Sequence, residues 1–544
     1  MSINPASTSK LRIGFLVDPG AIETNTLDLM DSIANNDHLF DGPIIIESIK
    51  VKTEFLASTF SIRRYLRFIL TQIINKLEVP RVRNNPIYKD YFLTFSSTNI
   101  LSRKPTFSKA NLDSLNTKNI DIFINCSSSD IPDSVFNNSA YGVIKLYKGS
   151  PSLDKNLLIG FLDVLYKRPA SPLIIVREER DSGLDSLICF GKIMTRSLWH
   201  HNRSAISKKS NAFILTFLKD LHHNRSFEKQ PIDSSDDLDA SENVSSFHLV
   251  KYLFTVYLSA AILALIKEFQ IPKKYNRWSV AYLKGSLEID LSSATEVKNL
   301  PGRFFADPFI IYHNNRNICF VEDFFYAESK GKISAIEILD NGYQFLGVVL
   351  EEQFHMSYPY VFEHENKVYM IPETNDAKEI RLYQAVNFPL EWEFKQVLME
   401  NISAVDTSIF QEGNKWYMFT NICSSQSDDH SSELHIFFSD SPHSKNWQPI
   451  QPNNPIIFNS QKARNGGFFE LDNKKYRVNQ VQGFSHYGKS FAVNLIKNIH
   501  QDNYREEQVF EIQPNFKNDI ISTHHFHTNG NLAVFDYCRN EKIT

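Results

Sequence analysis

The chain is 544 residues long, too much for one hydrophobic core, so two or three domains are expected. Its composition is globular, with 42% apolar, 22% charged and 13% aromatic residues, and the 42 phenylalanines suit pleated, half-buried surfaces. A net charge of −4 argues against a general binder of nucleic acid or anionic membranes, while leaving local basic patches open. Five cysteines, Cys126, Cys189, Cys319, Cys423 and Cys538, form no CxxC pair and suit neither a disulfide framework nor a zinc site. They read as core residues of a reducing compartment. The opening MSINPASTSK lacks an apolar signal core, so a cytoplasmic protein is expected, the inner face of a membrane being the alternative placement.

The first half alternates strand-like and helix-like segments. Leu11–Asp18 (LRIGFLVD) is an apolar strand, the next fourteen residues from Ile22 have helical spacing, and Pro43–Ser48 is a second strand. Ser61–Leu77 (SIRRYLRFILTQIINKL) is an amphipathic helix carrying Arg63, Arg64, Arg67 and Lys76; it reads as a solvated face or as a membrane-surface or partner helix. Ile120–Ser128, Tyr141–Gly149 and Pro172–Glu178 are further strands. Strands separated by helices predict a mostly parallel sheet covered by helices. Pro231–Ser246 is rich in Ser and Asp and reads as a linker. Tyr252–Ile266 is 15 uncharged residues between Lys251 and Lys267, short of the roughly 20 that a membrane span needs. A buried helix is the first reading and a membrane-surface helix the second. The expected domains are 1–230, a linker with its short apolar helix over 231–272, and 273–544.

From Trp278 onward short strands and turns repeat. ADPFIIYHNNRNICFVED, SYPYVFEHENKVYMIPET, VDTSIFQEGNKWYMFTN and RNGGFFELDNKKYRVNQV each hold an apolar strand, a polar turn and a second strand. Their openers, Asp307, Tyr358, Asp406 and Asn465, follow at intervals of 51, 48 and 59 residues. Units of this length with about four strands predict a β-propeller. A fifth unit, HHFHTNGNLAVFDYC, is incomplete, and RWSVAYL (Arg277–Leu283) supplies the missing strand, giving five blades. First strands line the central channel, so Asp307 and Asp406 would converge although far apart in the chain; the alternative is that they bond turn amides.

The repeat resembles the five-bladed propeller of glycoside hydrolase family 43. In that family an Asp opening the first blade is general base, an Asp opening the third tunes and orients, and a Glu of the fourth blade is general acid. Asp307 and Asp406 match the first two positions. The fourth blade reads KARNGGFFE, with Arg464 and Asn465 where the acid is expected, and an arginine cannot deliver that proton. Glu373 or Glu322 could substitute, but both lie at the far end of a second strand. The ordered set ADPF, ED, SYP, IPET, RLYQA, VDTSI, AR-x-x-G, YR-x-x-Q and YG is similar to the propeller beside the transferase domain of plant glucosamine inositolphosphorylceramide transferases. Similar propellers occur in bacterial proteins joined to a formyltransferase-like domain. In keeping with this, IDIFINCSSSDIP, YGVIKLYKGSPS and REERDSG resemble the formyltransferase fold. Asp181 fits that family's Asp, whereas Lys145 and Tyr147 occupy its Asn and His positions and the SLLP sequence is absent. Transfer from a folate donor is therefore not expected.

The expected fold is thus α/β plus all-β, a degenerate formyltransferase-like Rossmann-type domain followed by a five-bladed β-propeller. The resemblance implies a sugar-transferring or sugar-modifying protein in biosynthesis of a surface polysaccharide or glycolipid. A family 43-like glycosidase, a non-catalytic glycan-binding scaffold and an N-formyltransferase on an amino sugar are the alternatives. The candidate catalytic residues are Asp307, Asp406 and Glu373. Glu322, Asp323, His355, Tyr358, Arg381, Arg464, Arg477, Gln480 and Tyr487 are candidates for holding substrate, with Arg464 and Arg477 assigned to an anionic group. The expected partner is a carbohydrate or glycolipid with a nucleotide sugar or phosphosugar as donor, with no nucleic acid and no cofactor. His524, His525 and His527 (HHFH) invite a metal, but no acid lies near them in sequence at ligand spacing, and no metal is expected.

Overall fold

The computed structural model describes residues 9–18, 22–47, 62–83, 94–95, 100, 104, 108–110, 120–127, 131, 133–146, 158–178, 186–224, 244–258, 274–285, 290–425, 429–450 and 454–542. The chain divides into two compact units. The first holds Met1–Gly191, Thr195–Leu265 and Ser425–Ser427; the second holds Lys192–Met194, Ile266–Ser424 and Asp428–Thr544.

The first unit is built on a seven-stranded sheet: β1 Leu11–Val17, β2 Phe40–Glu47, β3 Ser108–Ala110, β4 Ile122–Asn125, β5 Val143–Leu146, β6 Ala170–Glu178 and β7 Ser186–Met194. Its order is β3-β2-β1-β4-β5-β6-β7. β1 runs parallel to β2 and β4, β2 to β3 and β4 to β5, while β6 is antiparallel to β5. The near-continuous apolar runs of β1 and β2 follow from burial of both sheet faces beneath helices. The helices are α1 Thr24–Ala34, α2 Ile62–Arg83, α3 Asp133–Asn137, α4 Phe161–Leu165, α5 Trp199–Asn224 and α6 Ser246–Tyr252, the last continuing in a wider π-helical turn over Leu253–Leu258. The amphipathic segment read as Ser61–Leu77 thus runs further, to Arg83. Most of the linker read at Pro231–Ser246, and the apolar stretch beyond Leu258, lie outside the described residues. Among the described residues no helix is long and apolar enough to cross a membrane.

Sequence periodicity passed over α5, and its burial shows why. His200, Asn202, Arg203, Ser204, Ser207, Lys209 and Ser210 are all buried along it, so no apolar stripe stands out. Its first turn is held by other elements. The backbone amide of His200 donates to Glu78 Oε2 at 2.8 Å, and that of Trp199 donates to the Tyr252 hydroxyl at 2.9 Å. The Tyr252 hydroxyl in turn donates to Glu78 Oε1. These contacts satisfy amides that a helix start leaves without partners.

The second unit contains four sheets formed by consecutive strands and a fifth that joins the two ends of the unit. Blade one is Arg303–His313, Arg316–Phe325, Lys330–Leu339 and Gly342–Leu350; blade two is Ser357–His364, Lys367–Glu373, Glu379–Asn387 and Glu391–Glu400. Blade three is Ala404–Glu412, Lys415–Ile422, Glu433–Ser439 and the short Gln448–Pro449; blade four is Asn465–Leu471, Lys474–Gly483, His486–His500 and Asn503–Ile512. In blade five the innermost strand Phe526–Thr528 pairs with Leu532–Lys542, which pairs along eleven residues with Lys274–Lys284, and that strand pairs with Thr295–Val297. The first strands of successive blades touch, and the fifth meets the first, closing a five-bladed ring. RWSVAYL therefore completes the fifth blade, as expected.

Burial falls across each blade, from wholly buried segments in first strands to mostly exposed fourth strands such as Asn503–Ile512. The turns joining first and second strands explain the repeated polar pairs. Asn314–Asn315, Glu365–Asn366 and Asp472–Asn473 all adopt positive φ at both positions, the geometry that two-residue hairpins with right-handed twist require.

Candidate functional site

The first strands of blades one to four each carry a bulge at the opener. The register slips between Ala306 and Phe309, Ser357 and Tyr360, Val405 and Ser408, and Asn465 and Gly467. The extra residue lies in left-handed backbone in three blades: Asp307 (φ 49°), Tyr358 (φ 45°) and Asp406 (φ 51°). Aspartate tolerates this conformation, but for tyrosine it is an outlier that surrounding contacts must hold. Tyr358 is fixed at three points: its amide donates to Asp307 Oδ2 at 3.3 Å, its hydroxyl meets Ser408 Oγ at 3.1 Å, and its ring packs edge-on against Phe309. In blade four Gly466 and Gly467 press against the fifth blade. A Cβ on either would lie 2.2 Å from the His524 carbonyl oxygen or 2.1 Å from that of Phe526.

The second strands bring another set of side chains to the same place. Being antiparallel, each returns its end to its opener: Ala306 lies opposite Glu322, Ser357 opposite Glu373, and Val405 opposite Asn421. The objection that Glu322 and Glu373 sit at the far end of a strand thus fails for a geometric reason. In blade five Asp536 holds the corresponding place, its amide donating to the His525 carbonyl at 3.3 Å.

The result is a buried group of five carboxyls, Asp307, Glu322, Glu373, Asp406 and Asp536, with Arg464 and His524 as the cations among them. Asp406 accepts from Arg464 Nε at 2.7 Å and from Gln480 Nε2 at 3.2 Å. Arg464 Nη2 lies 4.0 Å from Glu373 Oε2, and its guanidinium lies over the Tyr487 ring at 5.1 Å. Asp536 ties three chain segments together by accepting the amides of Asp307, His524 and His525. His524 stacks on Trp278 at 4.1 Å, with Nδ1 2.7 Å from Asp536 Oδ2 and Nε2 3.5 Å from Asp307 Oδ1.

Loss of water dominates the acid–base behaviour. Burial pushes Asp307 up to about 7, opposed by His524 and Arg464 and reinforced by Asp536 and Asp406. Glu322 is raised well above the ordinary range by burial and then by Asp307 and Glu373. Burial and then Asp406 raise Glu373 in the same way, with Arg464 opposing. Burial would depress His524, but the neighbouring Asp536 and Asp307 outweigh it and raise the ring above its ordinary value. Burial lowers both His525 and His527, even though His525 Nδ1 lies 3.7 Å from Asp307 Oδ1. The group therefore combines two glutamates whose uncharged form burial favours, an aspartate pushed up to about 7 and a fixed guanidinium.

The other expected residues have different placements. Tyr487 borders the group, with its ring edge-on to His524, and Gln480 is buried beside Asp406. His355 reaches Glu322 Oε1 at 3.6 Å while its Nδ1 accepts from the Gly331 amide; burial keeps it neutral. Asp323, one residue beyond Glu322, points to the opposite sheet face and is held by Arg303 at 3.0 Å and Ser334 at 2.7 Å. Arg381 pairs with Glu379 at 2.6 Å and lies over Phe354, apart from the Asp307 group. Arg477 is buried and spends all five donors on Glu506, the Lys462 and Ala463 carbonyls and Asn465 Oδ1. That leaves no donor for a ligand, and any anion falls to Arg464.

Sequence reasoning passed over Asp536 and the stack of His524 on Trp278. A signal was present: the second strands of blades one, two and five carry FVE, IPE and VFD, and aligning these triplets as well as the openers would have found Asp536. The spacing argument at HHFH also changes in the fold. Asp307, His524 and Asp536 each place one potential ligand atom within 4.8 Å of the others, although remote in sequence.

Residues 278–528 match the family model described as the N-terminal region of glucosamine inositolphosphorylceramide transferase 1. The glucosamine inositolphosphorylceramide transferase 1 of Oryza sativa subsp. japonica is 35% identical over 215 residues, which is 38% of this chain and 28% of the rice protein. The Arabidopsis thaliana protein of the same name is 33% identical over 245 residues, 42% of this chain and 30% of that one. The chain thus spans less than a third of the length of these relatives. Among solved structures, a thermostable family-43 glycoside hydrolase aligns with TM-score 0.34 and 16% identity, over 44% of this chain and 89% of the hydrolase. The catalytic domain of a Coprinopsis cinerea GH62 α-L-arabinofuranosidase aligns with TM-score 0.35 and 13% identity, over 49% of this chain and 98% of that domain.

Proposed function

We propose that the second unit carries the active site of a sugar-transferring enzyme that acts on a glycolipid or surface-glycan precursor. The observation that carries this reading is Asp307, a buried carboxyl pushed up to about 7, next to two glutamates raised by burial and Arg464. It lies within the segment similar to proteins named for glycolipid sugar transfer. Ionised Asp307 takes the proton of an acceptor hydroxyl. Glu373, whose protonated form burial favours, donates its proton to the departing oxygen. Arg464, held in place by Asp406 and Gln480, presents its remaining donors to a phosphate on the donor or the lipid. Tyr487 offers an aromatic face beside that arginine.

The raised Glu373 also supports hydrolysis as a second reading, since it could serve as the acid missing from blade four. The two readings part on one assay. Wild type, Asp307→Asn and Arg464→Ala are incubated with nucleotide sugars and glycolipid acceptors, with products followed by mass spectrometry. Transfer reads out as donor-dependent extension of the acceptor, lost in both variants. Sugar release without any activated donor selects the hydrolase, and saturable binding without turnover selects a glycan-binding scaffold.

We read the first unit as formyltransferase-like, supported by its mostly parallel seven-stranded sheet with β6 reversed. Lys145 there pairs with Glu178 at 2.9 Å, and Tyr147 and Asp181 lie outside the described residues. Formyl-folate should leave the melting temperature of the protein unchanged; stabilisation by it would restore a formyl-transfer role.

A further inference from the structure

We propose that the first unit docks on an anionic lipid bilayer through the outer face of α2. Three observations about Ile62–Arg83 converge on this. The first is its packing: Leu70, Ile74 and Glu78, spaced four apart, form its buried stripe. On a surface helix the remaining face is ordinarily polar. Here Leu66, Phe68, Ile69, Ile73 and Leu77 are exposed, between 36% and 61%.

The second is the neighbourhood. α6 and its continuation pack beside α2, and they expose Phe247, Val250, Phe254 and Leu258. The segments 62–83 and 246–258 together hold half of the large apolar side chains exposed among the described residues. Single exposed apolar residues are ordinary, whereas such a concentration marks a surface meant to be covered.

The third is charge, which selects the occupant. α2 carries Arg63, Arg64, Arg67, Lys76, Arg81 and Arg83, and its one acid, Glu78, is buried inside the unit. This basic helix belongs to a chain of net charge −4. An exposed apolar strip on a helix this rich in basic residues complements the headgroups and acyl boundary of an anionic membrane. A second copy of the same face would instead bring like charges together. Arg67 Nη2 donates to the Val244 carbonyl and Arg81 lies over Tyr257, so these two follow the packed stripe, while Lys76 is exposed beside Ile73 and Leu77.

The test uses the full chain in co-sedimentation with vesicles of mixed phosphatidylglycerol and phosphatidylcholine, beside vesicles of phosphatidylcholine alone. Wild type should partition onto the anionic vesicles and come off as salt rises. Phe68→Asp should weaken partitioning by roughly tenfold or more, and Ile73→Asp should do the same. Lys76→Gln should weaken it by about fivefold. All three positions are exposed, so melting temperatures should not move. Equal binding to both vesicle types, no binding to either, or a solution dimer that Phe68→Asp dissociates would each overturn the proposal. The proposal rests on the α2 face and not on the channel. Asp307→Asn should bind vesicles like wild type, so loss of sugar transfer and loss of membrane binding are separately visible.

Discussion

Glu78 of the first unit and Glu373 of the second are both buried carboxyls held above the ordinary range, chiefly by loss of water. Their surroundings differ. Glu78 receives a backbone amide on one oxygen and the Tyr252 hydroxyl on the other, so its hydrogen-bonding capacity goes to closing the start of α5. Glu373 shares its space with Asp406, Asp307 and Arg464, groups supplied by other blades and competing for the same charge. A perturbed carboxyl therefore marks a functional site only when several ionisable groups converge without satisfying one another. One that saturates backbone donors is a structural cap.

The comparison is broken or sharpened first at Asp307. Asp307→Asn should lower transfer by roughly 10²–10⁴-fold, and wild-type kcat/KM should rise with pH through about 7. Because folding raises the pKa of this carboxyl, the native state holds an extra proton between the ordinary range and about 7. Stability should fall as pH rises across that window, and the Asn variant should melt no lower than wild type at pH 8. Asparagine also tolerates the left-handed backbone there, so a drop in melting temperature would count against a carboxylate that burial destabilises.

Arg477→Met comes next, since it strands Glu506 in a buried site; a loss of about 3–5 kcal/mol is expected in denaturant unfolding. Glu78→Ala should cost roughly 1–3 kcal/mol by freeing the amide of His200 and the Tyr252 hydroxyl. Transfer activity of the folded fraction should be unchanged, and a loss of turnover would erase the distinction between the two glutamates. The smallest effect belongs to Asp536→Asn. Removing that charge should move the Asp307 limb of the pH profile to lower pH, with the neutral rate changing by less than about tenfold.

Much of the propeller was legible because its signals are local. Polar pairs such as Asn314–Asn315 and Asp472–Asn473 enforce hairpins, and alternating apolar strands repeat at a regular interval. The openers Asp307 and Asp406 were visible for the same reason. α5 was not, because its buried face is lined with serines that bond back to the helix and with His200, Asn202 and Arg203, whose partners lie elsewhere in the fold. Glu322, Glu373 and Asp536 share a further difficulty: only the antiparallel return of each second strand reveals that a residue sixteen positions after its neighbour in blades one and two, or eleven in blade five, sits beside it.

The sequence by itself determined the number of blades, the completion of the fifth by Arg277–Leu283 and the acids at two openers, since repeat length, turn chemistry and strand patterning are local properties. Only the tertiary structure decided which charges meet. Arg464 and Arg477 are alike in sequence, yet Arg464 lies beside Asp406 and Glu373, while Arg477 is saturated by Glu506 and backbone carbonyls. Burial and the identity of neighbours set ionisation and free donors, and both arise from strands far apart in the chain meeting at the centre of the ring.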